Sequence, residues 1–144
     1  MKRTLIYIVL LIVTFIAPVD RVNVGHLQPV EVIAVSEMNN GILIQTDTGD
    51  MGIGENVAEA VKNLKENATG IIYMDTARYL LVDENTQNQT AQLRSYLKDS
   101  VQVCLTDGEI DMEEVGKYLK THGKYPTLRE WKPNSDAPIL VNEK

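Results

Sequence analysis

Apolar and polar positions along the chain fall into distinct regimes. The first is an uninterrupted uncharged, largely apolar run over residues 4–17, led by Met1-Lys2-Arg3 and closed by Pro18 before Asp20 and Arg21. The next regime is a series of short runs rich in branched residues: Val30-Glu31-Val32-Ile33-Ala34-Val35 after Pro29, then Ile42-Leu43-Ile44-Gln45-Thr46. Branched side chains suit a pleated surface, and Asn39-Asn40-Gly41 between the runs tolerates the positive backbone angles of a tight turn, so a hairpin is predicted. Thr48-Gly49-Asp50 predicts a second turn, and Met51-Gly52-Ile53-Gly54 a short third strand of the same meander.

The period then changes. Val57, Val61, Leu64 and Ala68 recur at helical spacing, with Asn56 placed to cap, Glu59 at the third helical position and Gly70 at the exit. Ile71-Ile72-Tyr73-Met74 and Tyr79-Leu80-Leu81-Val82 read as strands separated by Asp75-Thr76-Ala77-Arg78. A polar helix over residues 86–98 would bury Leu93, Tyr96 and Leu97. A strand over residues 101–105 follows, then a turn at Asp107-Gly108 and a helix capped by Asp111 with Glu114 three residues later. That helix would hide Val115, Tyr118 and Leu119 and end at Gly123. From Pro126 the chain is polar and proline-containing, with residues 127–131 as a further edge strand.

A β-meander followed by alternating helices and strands predicts one small domain of α/β or α+β class over residues 30–131. Ahead of it lie a signal peptide or signal anchor, residues 1–19, and a polar tether, residues 20–29, that contains Gly25; a loose tail, residues 132–144, follows it.

Composition adds where the domain sits. A basic tip and an apolar block place the remainder outside the cytoplasm, anchored to the cell membrane or secreted. The run's 14 residues fall short of the roughly 20 that cross the hydrocarbon core, which suits a cleaved signal. Bulky Phe15 two positions before Ala17, with Pro18 directly after it, makes a poor cleavage site, so the adopted expectation is an uncleaved anchor. Formal net charge is −6, and losing Lys2 and Arg3 with the leader would take it to −8. Such a surface repels phosphate backbones and anionic lipid, so nucleic acid is not an expected partner. Cys104 is the only cysteine, which excludes an internal disulfide and a cysteine-based zinc site. Its apolar neighbours predict a buried core thiol.

Candidate chemistry is sparse. Asp47-Thr48-Gly49 spells the triplet of aspartic proteases, in which two close carboxylates share a proton. Apolar residues normally lead into that Asp, whereas Gln45 and Thr46 stand here, and a β-turn accounts for the same three residues. Asp107-Gly108-Glu109-Ile110-Asp111 with Glu114 imitates the second half of a calcium loop, but the alignment puts Val103 and Leu105 where side-chain oxygens belong. His26 and His122 have no partners arranged for a triad or metal cluster, and His122 suits the negative end of its helix. Asn67-Ala68-Thr69 and Asn88-Gln89-Thr90 fit the glycosylation pattern and are taken as chance occurrences. Asp75 and Arg78, near Tyr73 and Tyr79, form either a polar binding edge or an ordinary surface turn. No catalytic, cofactor-binding or metal-ligating residue is assigned, and no cofactor is expected.

Residues 41–119 resemble the N-terminal domain of the C subunit of bacterial spore germinant receptors. The likeness lies in the strand pair and in the helix start Gly54-Glu55-Asn56-Val57-Ala58-Glu59-Ala60 with Leu64 following. It continues through Ile72-Tyr73-Met74, the break at Asp75-Thr76, and Arg78-Tyr79-Leu80-Leu81-Val82, then helix, strand, short turn and last helix. The chain also looks like small exported proteins of spore-forming clostridia. Members of the receptor family are lipoproteins on the outer face of a membrane and act without enzymatic activity inside a receptor assembly. No cysteine stands directly after the apolar run here, so the run itself would have to hold the chain to the membrane.

Three functions remain on the sequence. The first is a non-catalytic, membrane-tethered or exported module that binds a protein partner in the cell or spore envelope, docking a partner strand on the edge at residues 51–54 or 127–131. The second is a small aspartic-type hydrolase using Asp47. The third is a self-assembling structural protein of the envelope.

Overall fold

The structure is a computed structural model that describes residues 7, 27–38, 40–107, 111–122, 124–133 and, as backbone, 139–141. The expected leader apart from Tyr7, most of the tether with His26, the turn residues Asn39 and Gly108, and Gly123 lie outside the described residues. No helix among the described residues is long and apolar enough to cross a membrane.

The chain forms one small α+β domain. Its strands are β1 (Leu27–Pro29), β2 (Val32–Met38), β3 (Gly41–Thr46), β4 (Met51–Gly54), β5 (Ile71–Tyr73), β6 (Tyr79–Asp83), β7 (Gln102–Asp107) and β8 (Ile139–Val141). The helices are α1 (Val57–Asn67), the single turn α2 (Thr90–Leu93) and α3 (Met112–Thr121). The main sheet runs β4-β3-β2-β6-β7-β8, with β2, β3 and β4 antiparallel and β2, β6, β7 and β8 parallel. The expected meander is thus present, and the later strands extend it on the far side of β2.

Local chemistry explains the elements. Asn40 takes φ 64° in the hairpin turn and Gly49 takes φ 87° in the next, the left-handed angles that these residue types accept. Asn56 Oδ1 accepts from the Glu59 N–H at 3.0 Å, and the Glu59 carboxylate reaches back to the Glu55 N–H at 2.9 Å, closing the start of α1. Asp111 Oδ1 does the same for α3, accepting from Glu113 and Glu114 at 2.9 and 3.2 Å.

Side-chain alternation then builds two apolar layers. Ile33 and Val35 of β2, Ile42 and Ile44 of β3, Leu80 and Val82 of β6, and Val103 and Leu105 of β7 face α1 and α2. Val57, Ala60, Val61, Leu64 and Leu93 close that layer from the helix side. On the opposite face, Val32, Ala34, Tyr79, Leu81 and Cys104 meet Leu119, Met112 and Val115 of α3.

Several expectations are corrected. Leu27–Pro29, read as tether, is a strand paired in parallel with β5, so the described fold begins before residue 30. Ile71–Tyr73 is a strand as expected, and it pairs with β1 apart from the main sheet. Residues 86–98 do not form one helix: a 3-10 helix occupies Glu84–Gln89 and only Thr90–Leu93 is α-helical. Thr86 and Thr90 hydroxyls bond to the Asp83 and Gln87 carbonyls, the local competition that threonine offers to regular helix. Leu93 and Leu97 are buried as expected, and Tyr96 partly so. Tyr118 is exposed and stacks on His122 with ring centroids 4.2 Å apart, so α3 buries Leu119 and half-buries Val115 without hiding it.

Residues 127–131 contribute a single bridge, Gln102 to Thr127, and then turn, because Leu128 and Trp131 are drawn into the core. Within the expected loose tail, Ile139–Val141 pairs with β7, whose outer backbone groups would otherwise lack partners.

Candidate functional site

Two regions of the molecule concentrate unusual features, one at each end of the parallel strands. At the amino ends of β2 and β6, Glu31 carries ion pairs to Lys120 of α3 and to Arg78, the latter at 4.0 Å. Both Asp47 oxygens accept from the Glu31 N–H, at 3.2 and 3.1 Å, and the Asp47 N–H bonds to the Val32 carbonyl at 3.1 Å. Asp47 therefore ties the second turn of the meander to the entry of β2. As a residue it is exposed, yet its carboxyl is turned against this backbone. Loss of hydration there raises its pKa, the neighbouring Glu31 charge adds to the rise, and the backbone hydrogen bonds oppose it.

The sign of the linkage follows. A raised folded pKa means that the native state binds the proton more readily, so Asp47 contributes stability fully below its unfolded value of about 3.9. That contribution is lost as pH rises through the folded value. Asp47→Asn is expected to leave the fold intact and to remove this slope, read as urea midpoints between about pH 3 and about pH 7. Equal pH dependence in both proteins would show that the carboxyl is not desolvated.

The other residues singled out by sequence do not join Asp47. Asp75 is exposed, Arg78 engages Glu31, and the two tyrosines point to different places. Tyr73 is exposed on β5, whereas Tyr79 is buried under α3 with its hydroxyl donating to the Leu119 carbonyl at 3.2 Å. No shared polar edge exists between them. Val103 and Leu105 are buried in β7, and among the described residues no group of three His, Cys, Asp or Glu is placed to hold a metal ion. His122 sits at the carboxyl end of α3, its Nδ1 within 3.2 Å of the Tyr118 carbonyl oxygen. Thr90 of the second glycosylation pattern is buried.

Cys104 is fully buried in the α3 layer, and loss of hydration pushes its thiol up to about 12. In the native protein it is expected to resist an aromatic disulfide reagent, and to react at once in denaturing urea. Rapid native labelling would place the thiol on a mobile or open surface.

The second region lies toward the carboxyl ends of β2, β6 and β7. In open α/β sheets ligands favour this end, at a point where successive connections run in opposite directions. Here β2 leads to β3 on one side while β6 leads to β7 on the other. The crevice between them is bridged, however: the buried Thr86 hydroxyl donates to the carbonyls of Val35 and Asp83, both at 3.1 Å. The opening is displaced onto the α3 face of the sheet.

Register shows what floors it. Ser36 pairs with Leu43, Gln45 with Met51 and Leu43 with Ile53, so all lie on the face that carries Val32 and Ala34, with Met38 at the end of the row. Helix α3 covers the lower part of this face, where a Cβ added at Gly116 would touch Val32 at 3.5 Å. Nothing among the described residues covers the upper part: Met38, Met51 and Ile53 are 45%, 51% and 47% exposed. A groove of about 560 Å³ runs along it, bordered by Ser36, Glu37, Asp83 and Thr106.

The edge of β4, expected as a docking strand, is less free than its face. Asn63 Nδ2 of α1 donates to the Ile53 carbonyl at 2.7 Å, so an acceptor of the edge is already used. Sequence reasoning placed Met51–Gly54 correctly as an outer strand but missed the uncovered face. The signal was available in the alternation of Leu43 with Gln45 and of Met51 with Ile53, although alternation alone does not say whether a second layer covers it.

Comparison of the chain with protein-family models, with curated proteins and with solved structures finds no match.

Proposed function

We propose that this chain is a non-catalytic protein-binding module working outside the cytoplasm, where the apolar run over residues 4–17 exports or tethers it. The observation that carries the reading is the uncovered half of the sheet, with Met38, Met51 and Ile53 together on one exposed face. Single exposed apolar residues are ordinary, but a contiguous group beside a groove is the usual mark of an interaction site. The envelope setting and the link to spore germination rest on the N-terminal run and on the receptor-family resemblance of residues 41–119.

Photo-cross-linking in the native host tests the proposal. A photoreactive side chain at position 53 is expected to capture an envelope protein, and one at exposed Glu66 is expected not to. Capture should disappear when Met51→Asp is added. A monomeric protein with no cross-link from position 53 would overturn the reading.

A further inference from the structure

We propose that the open half of the sheet seats a basic amphipathic helix supplied by another protein; the inference rests on the protein-binding reading above and specifies the partner's chemistry. Three observations carry it together. The first is the shape of the gap. Helix α3 lies over β2, β6 and β7 on this face, while Leu43, Met51 and Ile53 of β3 and β4 have no helix above them. Sheets of this kind bury a face under helices, and one further helix beside α3 would complete the layer. The methionines Met38 and Met51 add an adaptable floor, since an unbranched thioether side chain repacks around different apolar anchors.

The second observation is charge. No Lys or Arg occurs over residues 22–61, a stretch that carries Glu31, Glu37, Asp47, Asp50, Glu55 and Glu59. This stretch supplies β2, β3 and β4, the strands under the open face. Glu37 and Asp83 border the groove. Neither makes an ion pair among the described residues. An apolar floor bordered by carboxylates without a cationic partner complements a helix with apolar anchors at i, i+3, i+4 and i+7 and lysine or arginine beside them. The same charge disfavours an anionic membrane surface.

The third observation separates a helix from a strand. Strand addition needs a free edge, and Asn63 already occupies the Ile53 carbonyl on β4. Occupation of the face leaves that contact in place.

The full chain is titrated with two synthetic helices of about 18 residues, five turns each. Both carry leucine at the anchor positions; one has lysine on the flanks and the other glutamate. The lysine peptide is expected to bind at least about tenfold more tightly than the glutamate peptide, and to weaken with added salt. Ile53→Asp and the double change Glu37→Lys with Asp83→Lys should each reduce its affinity by about tenfold or more. These positions are exposed or half-exposed, and circular dichroism is the check that each variant is folded.

Equal binding of the two peptides, or affinity unchanged by Ile53→Asp, overturns the proposal. Concentration-dependent dimerisation abolished by Ile53→Asp also overturns it, because a second copy is then the occupant. If the cross-link from position 53 persists while the peptides do not discriminate, only the partner chemistry falls. If neither the cross-link nor either peptide engages the face, the protein-binding reading falls with it.

Discussion

Gly52→Ala is expected to destabilise the protein by about 3 kcal/mol, close to the upper range for overpacking a fixed core. Gly52 and Gly54 alternate on the α1 side of β4, where α1 crosses the strand at backbone contact distance. A Cβ on Gly52 would overlap the Ala60 carbonyl oxygen and the Leu64 amide, and would lie 2.7 Å from Leu64 Cα. All three neighbours are backbone, so no rotamer change relieves the overlap, and helix and strand must separate. Separation would in turn open the layer formed by Ile44, Val61 and Leu64, each buried to within 2%. Urea unfolding should show the loss as a lowered midpoint, and thermal unfolding as a drop of roughly 10 °C.

Gly116→Ala supplies the contrast. This glycine lies inside α3, its Cβ would meet only Val32 at an ordinary 3.5 Å, and the helix gains about 0.5–1 kcal/mol from the better helix former. Stabilisation at 116 with severe loss at 52 would identify close approach, and not glycine's flexibility, as the reason for Gly52. A Gly52→Ala protein as stable as the parent would mean that α1 does not lie against β4 in this way.

What the sequence could reveal was whatever is settled within a few residues. Asn40 and Gly49 declare their turns because few residue types accept positive φ, and Asn56 and Asp111 declare their helices because a cap acts across three residues. The spacing of Val57, Val61 and Leu64 identifies α1 for the same reason. Pairings over longer distances left weaker marks. Ile71-Ile72-Tyr73 has the composition of a strand but nothing in it names β1 as its partner. Gly52 and Gly54 were readable as a sign of close backbone approach, since glycine at alternate strand positions offers nothing to pack.

The candidate site was legible to a lesser degree. Asp47 attracted attention through its triplet, yet its carboxylate holds the Glu31 amide at the amino ends of the strands. The open face left no motif at all. Its residues, Met38, Leu43, Met51 and Ile53, have the alternation of an ordinary half-buried strand, and only the position of α3 decides that they stay uncovered. Charge was the missed clue: overall net charge does not show that one strand-forming stretch of 40 residues, 22–61, holds no cation.

Trp131→Ala is expected to cost about 3–5 kcal/mol, the range for removing a large buried aromatic side chain. Trp131 is 2% exposed and belongs to the same apolar layer as Leu93, Leu97, Val101 and Leu128. The segment that delivers it is fastened to the fold at several points. Val103 N–H donates to the Pro126 carbonyl at 2.8 Å and Leu128 N–H to the Val101 carbonyl at 2.6 Å. Arg94 donates to the Leu128 carbonyl at 3.0 Å, and the Glu130 carboxylate accepts from both the amide and the hydroxyl of Thr127 at 3.0 and 2.9 Å. The indole N–H is buried with no partner among the described residues, which separates packing from polarity. Trp131→Phe keeps much of the ring volume and removes an unpaired donor, so its cost should stay within about 1.5 kcal/mol. Urea midpoints in the order parent, Phe variant and far below them the Ala variant would make residues 126–131 part of the cooperative unit. An Ala variant with the parent's midpoint would detach the segment from the core, and with it the account of why the chain turns inward at Thr127 instead of continuing as an edge strand.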